Sequence, residues 1–447
     1  MTEAHTTRAL AEFITAPHAL PQEVRLAGER AFVNIVGCML GGVDQDATRI
    51  ARELALTMSG APVVPLIGFD QKTDALTSAF LNCLASAAHA FDDTHLATVV
   101  HPSGPVSAPM LAVAAERGMT GAALVDALVI GIEVQCRLGA ALLLPPAKGQ
   151  LSWYGTGILG GLGAAAAVAR VLGLSVEQTC WALGLAANQA SGFRHTHGSM
   201  CTSFTPAHAS RCGFHAALLA ERGMHATEAA LEGQHGFFDV FSHNANVAAV
   251  THALGLDWQM LANAFKPYPC GIVVHPVLDA CLAIAREDQP ATDNIAQIDV
   301  SVNPLCLMLC DRPAPPDAQL AQVSVQHWAA AALATGRAGV NEGSNAAVQH
   351  PDIQHLRSLV RTYPNDTIGR DGARVDVRLR DGTTITRAVA NALGSAANPM
   401  TDEQIDQKFL DQAQTVFDAH RAHDALAACR AVAAAPSLEA VFSICVR

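Results

Sequence analysis

The sequence predicts a mainly α-helical protein, in which a large all-helical domain is combined with a smaller α+β lid domain. Three observations support this prediction. From Thr7 to about Phe265, apolar residues recur every three or four positions, as in Leu10, Phe13 and Ile14. Strand-like alternation begins only after that region. Half of the 447 residues are hydrophobic and only 15% are charged, which is typical of closely packed helices with little exposed surface.

Strand signals are confined to the region from about 270 to 393. The segment AQIDVSV alternates Ile298, Val300 and Val302 with polar residues. In ARVDVRLRDGTTITRAV, the dipeptide Asp381-Gly382 separates two alternating runs, which predicts a β-hairpin.

A further helix is predicted near the C-terminus. Thr401, with Gln404 three residues later, has the pattern of a helix capping box. The last segment therefore returns to the helical domain. We place the helical domain at 1–268 and 394–447, and the lid domain at 269–393.

A glycine-rich segment, WYGTGILGGLGAAAAVAR, contains the order G-x-G-x-x-G from Gly155 to Gly160. A dinucleotide-binding turn follows a buried strand, and an acidic residue that binds the ribose lies about 20 positions after it. Here the preceding segment contains two prolines and a glycine, and the nearest later acid, Glu177, lies at the predicted start of another helix. The small residues instead recur every four positions, which predicts a smooth helix face for close packing. This face comprises Gly157, Gly161, Ala165 and Ala169.

Charge and composition indicate which classes of binding partner and which cellular compartment to expect. The formal net charge is -12 and no cluster of Lys or Arg is present, which argues against a nucleic-acid or anionic-membrane partner. Residues 1–17 lack the basic and apolar regions of a secretory signal, and the apolar run 158–169 is too short to cross a bilayer. The 12 cysteines form no C-x-x-C pair, so we expect reduced core cysteines in a cytoplasmic protein.

Chemically reactive side chains are concentrated in three segments, and the last of them lies at the predicted domain junction, a usual place for a small-molecule site. Each group also has a structural interpretation, as solvated acids at a helix end, hydrogen-bonded histidines or a surface lysine. Neither H-E-x-x-H nor a regular Cys/His spacing predicts a metal site. The candidates are Asp93, Thr94 and His101; Arg194 and His197; and Lys266, Tyr268 and His275.

These segments resemble the MmgE/PrpD family. The matching pieces follow one another in order over most of the chain, at 91–106, 155–170, 198–200, 230–238, 266–280 and 398–409. The resemblance implies a large helical domain with a smaller α+β lid domain, a homodimer, and no metal or organic cofactor.

The chain also departs from the family's lyase pattern. Dehydratases and decarboxylases of the family typically carry an acid before FDD, a histidine at the start of the glycine-rich segment and a lysine after G-[ST]-M. This chain has Ala90, Tyr154 and Thr202 there. The resemblance is therefore greater to the family's epimerases, which act on iminodisuccinate. It implies an isomerase that removes the α-proton of an imino or amino dicarboxylate and returns it to the other face.

For such an epimerase we expect two opposed acid–base groups, Tyr154 and either His101 or Lys266, with Asp93 as a further catalytic residue. Tyrosine acts as a base only if cations lower its pKa from ~10. The expected substrate-binding residues are Thr94, Arg194, His197, Tyr268 and His275. The alternatives are a lyase similar to 2-methylcitrate dehydratase or cis-aconitate decarboxylase, and a non-catalytic metabolite-binding protein.

Overall fold

The computed structural model describes residues 5–150 and 152–447 and is mainly helical. Residues 1–4, which open the segment examined for a secretory signal, lie outside the described part. The first eleven helices, α1 to α11, are Thr6–Thr15, Gln22–Gly41, Asp46–Met58, Ala75–Ala87, Ser103–Arg117, Gly121–Leu143, Gly155–Val171, Val176–Ala187, Cys201–Glu221, Phe237–Phe241 and Val247–Thr251. They enclose one large apolar core.

Helix α7 lies inside this core, and its glycines allow neighbouring helices to approach closely. Residues 155 to 169 of α7 are all buried. A Cβ added at Gly157 would collide with the Ser191 carbonyl and the Thr205 methyl group, and one added at Gly213 would collide with the Gly161 carbonyl. The close contact between α7 and α9 depends on these glycines. The glycine-rich segment is therefore a packing element, as predicted.

The region after α11 contains most of the strands and the next helices. The strands β1 to β8 are Val64–Pro65, Lys72–Thr73, Thr94–His95, Asn263–Ala264, Ile295–Val302, Val360–Pro364, Ala373–Leu379 and Thr384–Val389. Helices α12 to α17 are His275–Ala283, Pro304–Cys310, Ala318–Ala321, Val325–Thr335, Asn345–Gln349 and Pro351–Leu359. The larger sheet has the order β6-β5-β7-β8, with β5–β6 parallel and the other pairs antiparallel.

A second apolar core joins this sheet to its helices. The sheet's inner face, including Ile298, Val300 and Val375, packs with the fully buried Trp328 of α15. The predicted hairpin is β7–β8, and Gly382 in its turn has a φ of +89°, a conformation that glycine adopts without strain. A mainly α fold with a smaller α+β unit is confirmed.

The C-terminal helices return to the helical core, as the capping box predicted. Helices α18 to α20 are Asp402–Ala413, Ala419–Arg430 and Glu439–Cys445. The Thr401 hydroxyl accepts from the Gln404 amide, and the Gln404 side chain accepts from the Thr401 amide. Phe409 of α18 packs against Gly37 of α2. The boundaries at 268/269 and 393/394 stay a prediction.

In the described ranges, no single helix is long and apolar enough to cross a membrane. Helices α2 and α3 are long and apolar enough for a membrane span only when they are counted together, and they are bent by 81° relative to each other.

Candidate active site

A cavity lies between the helical core and the α+β unit, and cationic residues line it from both sides. It encloses about 650 Å³, including the space open to solvent at its mouth. Its charged lining residues are all basic, and neither Asp nor Glu is among the lining residues that the structure describes. The polar lining residues are His101, Arg194, His197, Thr202, Lys266 and Arg312. A site of this composition favours a small polyanion.

The pairing of β3 with β4 brings an aspartate next to a lysine. The strands are antiparallel with Thr94 opposite Ala264, so the same register extended by two residues places Asp92 opposite Lys266. Lys266 Nζ lies 3.4 Å from Asp92 Oδ1 and donates to the Ala90 carbonyl at 2.8 Å. The lysine is 1% exposed and the aspartate 3%. A buried pair of this kind fixes the ammonium group at the cavity wall.

A tight turn after β3 places His101 beside this pair. The His95 amide donates to the Val100 carbonyl, and Val99 within the turn has a φ of +55°. His101 Nδ1 then lies 2.9 Å from Thr94 Oγ1 and 3.2 Å from the Asp93 carbonyl. Because a carbonyl only accepts, this contact favours a proton on Nδ1 and leaves Nε2 as the basic nitrogen. Burial and the charge of Lys266 lower the pKa of His101 to about 4.

Asp93 is fully buried behind the cavity wall. Its Oδ2 accepts from the Ser103 hydroxyl at 2.5 Å and from the Asn263 amide group. Burial raises the pKa of Asp93 to about 6, although these two hydrogen bonds oppose the change. The carboxyl group anchors the loop that carries His101 and does not line the cavity.

Two backbone hydrogen bonds bring the start of α7 to the segment around 194. The Tyr154 amide donates to the Gly192 carbonyl at 3.0 Å, and the Arg194 amide donates to the Ser152 carbonyl at 2.8 Å. These bonds explain why residues 40 positions apart in sequence meet at one side of the cavity. Burial lowers the pKa of Arg194.

The phenol of Tyr154 lies behind His101 and His197. Its ring centroid is 4.2 Å from that of His197 and 6.2 Å from that of His101. Burial and the charge of Asp92 raise the pKa of Tyr154 well above its usual range, and burial and Arg194 lower the pKa of His197 to about 3. The hypothesis that cations lower the pKa of Tyr154 is therefore wrong, because the loss of hydration outweighs their field.

Two predicted binding residues lie elsewhere. Tyr268 lines a second cavity beside α18, and its hydroxyl donates to Asp279 Oδ1 at 2.6 Å. His275 is buried below it, with its ring centroid 5.3 Å from that of Tyr268. The structure thus brings together seven of the nine predicted residues, of which four line the cavity and three lie behind its wall, and places these two elsewhere. The seven are Asp93, Thr94, His101, Tyr154, Arg194, His197 and Lys266.

The opposite wall comes from α13 and the segment that follows it, which the sequence analysis missed. Arg312 lines the cavity together with Met308 and the buried Cys310. The Arg312 guanidinium donates to the Asp311 carbonyl at 2.8 Å, and its backbone amide donates to Gln326 Oε1. A single arginine beside a proline-rich segment gives no local signal of a site. Asp92 lies in the FDD segment that the sequence analysis considered, but its pairing with Lys266 follows only from the β3–β4 register.

Among the described residues, no group of three or more His, Cys, Asp or Glu side chains has an arrangement suited to a metal ion.

Comparison with known proteins identifies relatives along most of the chain. The cis-aconitate decarboxylase-like protein oryM of Aspergillus oryzae is 27% identical over 94% of this chain and 92% of its own length. Human cis-aconitate decarboxylase is 29% identical over 74% of this chain and 71% of its own length. The cis-aconitate decarboxylase of Aspergillus terreus is 26% identical over 82% of this chain and 80% of its own length.

The expectation of an isomerase acting on an iminodisuccinate-like substrate is wrong. The relatives are named as decarboxylases, which are lyases, and the likeness extends far beyond the three differing positions on which that expectation depended. The raised pKa of Tyr154 also disfavours the phenolate that the epimerase hypothesis used as a base.

Two family models cover both parts of the fold. The MmgE/PrpD N-terminal domain matches residues 8–250, and the MmgE/PrpD C-terminal domain matches residues 268–432. The chain belongs to the MmgE/PrpD family.

Proposed function

We propose that this protein is a lyase that releases carbon dioxide from a small unsaturated tricarboxylate similar to cis-aconitate. The observation that carries the proposal is the convergence of Lys266, Arg194 and Arg312 on a cavity whose described lining contains no acid. The relatives named as cis-aconitate decarboxylases support it independently.

The substrate class follows from the charges. Three cations, two from the helical side and one from the α+β side, are complementary in sign to a polycarboxylate, and one of them, Lys266, is also paired with a buried acid, Asp92. Partial burial strengthens these ion pairs because less water competes for each charge. The names of the relatives extend the expected dicarboxylate to a tricarboxylate such as cis-aconitate.

The proposed decarboxylation moves the carbon–carbon double bond by one position. The bond between the methylene carbon and its carboxylate breaks, carbon dioxide leaves, and the released electron pair forms a new double bond to the central carbon. The electrons of the original double bond move to the far carbon, which takes up one proton. The product is a dicarboxylate with a terminal methylene group. The barrier lies in the negative charge that spreads over the remaining carboxylates, and fixed cations lower it.

In this proposal Lys266 holds a carboxylate and stabilises the developing charge, and His101 delivers the proton. His101 is neutral in the free protein because its pKa is about 4. A bound tricarboxylate places negative charge beside the ring and raises that pKa, so the histidine gains a proton when substrate binds. Thr94 and the Asp93 carbonyl orient the ring through Nδ1.

Incubation of the purified protein with cis-aconitate tests the proposal. We expect carbon dioxide release and, in deuterated water, one deuterium on the product carbon adjacent to a carboxylate, both followed by NMR. Loss or gain of water without carbon dioxide release would contradict decarboxylation and favour a dehydratase. Binding that stabilises the protein without turnover would favour a metabolite-binding protein.

We also propose that the protein is a homodimer located in the cytoplasm. Light scattering on the purified protein tests the dimer, and fractionation of the source cells tests the location.

A further inference from the structure

Lys408 of α18 lies directly behind the active-site loop that carries Asp92. Lysine is rare in this chain, since only four of its 28 Lys and Arg residues are lysines: Lys72, Lys148, Lys266 and Lys408. Two of the four are buried, and both donate to this one loop. Lys72 and Lys148 are exposed.

The ammonium group of Lys408 is held by three neutral partners. Its Nζ donates to the Phe91 carbonyl at 2.7 Å and to Asn34 Oδ1 at 2.7 Å, and it lies 4.1 Å from the centre of the Phe91 ring. The residue is 6% exposed. Burial lowers its pKa to about 8, so the side chain is mainly charged at neutral pH. A charge buried on neutral acceptors is costly, which argues that it serves more than packing.

The two buried lysines hold successive carbonyl groups of the loop. Lys266 donates to the carbonyl of Ala90, and Lys408 donates to that of Phe91. Because each peptide group is planar, fixing two successive carbonyl oxygens fixes the two planes that meet at Phe91. Ala90 has a φ of +50°, an uncommon conformation for alanine that requires support from its surroundings. Asp92 follows directly.

We propose that Lys408 is a positioning residue of the active site, which fixes the Phe91 carbonyl so that Asp92 is presented to Lys266 and His101. The 398–409 segment, which matched the family motif but has no part in the proposed reaction, thereby gains a role. The effect on activity assumes the proposed lyase function, whereas the effect on the loop does not.

The test uses Lys408→Met, which keeps the length of the side chain and removes its donors and its charge. We expect kcat for cis-aconitate to fall about 10- to 100-fold, as a misplacement of about 1 Å produces, with KM changed less than about threefold because the cavity cations remain. Amide hydrogen exchange in a peptide covering residues 88–96 should become about tenfold faster or more. Lys72→Met is the matched control and should leave kcat, KM and exchange unchanged.

A second variant separates positioning from simple packing. Asn34→Leu removes the other acceptor of Lys408 but leaves its bond to the Phe91 carbonyl, so loop exchange and kcat should stay within about threefold of wild type. Equal losses of kcat in Asn34→Leu and Lys408→Met would overturn the proposal, as would unchanged loop exchange in Lys408→Met.

If Lys408→Met does not fold, Lys408→Gln replaces it, with a smaller change in the same direction, because it keeps an N–H donor without the buried charge. If the wild-type protein does not decarboxylate cis-aconitate, the proposed function fails, and the exchange measurements still decide the role of Lys408.

Discussion

The two walls of the cavity differ in how firmly their functional groups are held. On the helical side, Lys266 is 1% exposed and makes a buried ion pair with Asp92, and His101 is fixed through Nδ1. On the α+β side, Met308 is 56% exposed, and Arg312 is half-buried with its guanidinium on the adjacent Asp311 carbonyl. Proton transfer and charge stabilisation need groups whose position and protonation are fixed, whereas capture of an anion needs mainly charge. We therefore expect the helical wall to control kcat and the α+β wall to control KM.

The largest effect is expected for Lys266→Met, which removes the cation that is paired with the buried Asp92. Activity on cis-aconitate should fall about 10³-fold in kcat, with Lys72→Met as an unaffected control. The single variant also leaves Asp92 buried without its cation, at a cost of about 3–5 kcal/mol in the free energy of unfolding. The double variant Asp92→Asn/Lys266→Met should regain stability, measured by urea unfolding, but no activity. Recovery of activity in the double variant would mean that Lys266 acts only on stability.

The next largest effect is expected for His101→Asn. Loss of the proposed proton donor should lower kcat about 10²-fold or more and should also slow deuterium uptake into the product. His195→Asn, at an exposed histidine near the cavity, is the control. Normal turnover by His101→Asn would assign proton transfer to another group.

A smaller effect is expected for Arg312→Gln on the α+β wall. Loss of one charge-assisted hydrogen bond should raise KM about tenfold and leave kcat within about threefold. Arg378→Gln, on the exposed side of β7, should behave like the wild type in the same steady-state assay. A kcat loss as large as that of His101→Asn would abolish the distinction between the two walls.

Tyr154→Phe should have the smallest effect on turnover. Burial keeps the phenol protonated, so the variant loses only a neutral hydroxyl and keeps the ring contact with His197, which limits the loss in kcat to about fivefold. Tyr363→Phe at the exposed strand β6 is the control for the assay. A loss above about 100-fold would show that the hydroxyl takes part in proton transfer.

The lowered pKa of His101 also predicts how stability changes with pH. Between about pH 6.5 and 4 the unfolded state binds a proton that the folded state does not, so the free energy of unfolding falls as pH falls through this window. From pH 6.5 to 5 this single group contributes about 2 kcal/mol. The Tm of His101→Asn should therefore drop ~2 °C less than that of the wild type between pH 7 and 5, by calorimetry. Equal drops would contradict a buried neutral His101.

Local patterns predicted the fold well because they depend on neighbours in the chain. The hairpin at Asp381 and Gly382, the capping box from Thr401 to Gln404 and the glycine face of α7 each follow from a few adjacent positions. The seven residues that the structure brings together were predicted because they lie in segments that combine several reactive groups.

What the sequence analysis missed depends on tertiary structure. Arg312 reaches the cavity only through the packing of the α+β unit on the helical core, and the Asp92–Lys266 pair exists only in the β3–β4 register. The pKa of Tyr154 is governed by burial, which no local motif reports. Three substituted positions also proved a poor guide to the reaction, since the likeness to lyases runs through most of the chain.

Because the chain has only four lysines, acylation of amines can be followed separately at its two buried ammonium groups. Amine-directed reagents should acylate Lys72 and Lys148 first, since both are exposed, and should react much more slowly with the buried ammonium groups of Lys266 and Lys408. Mass-spectrometric counting of these two slow acylations over time, with and without cis-aconitate, would measure how far a bound substrate shields Lys266 and leaves Lys408 unchanged.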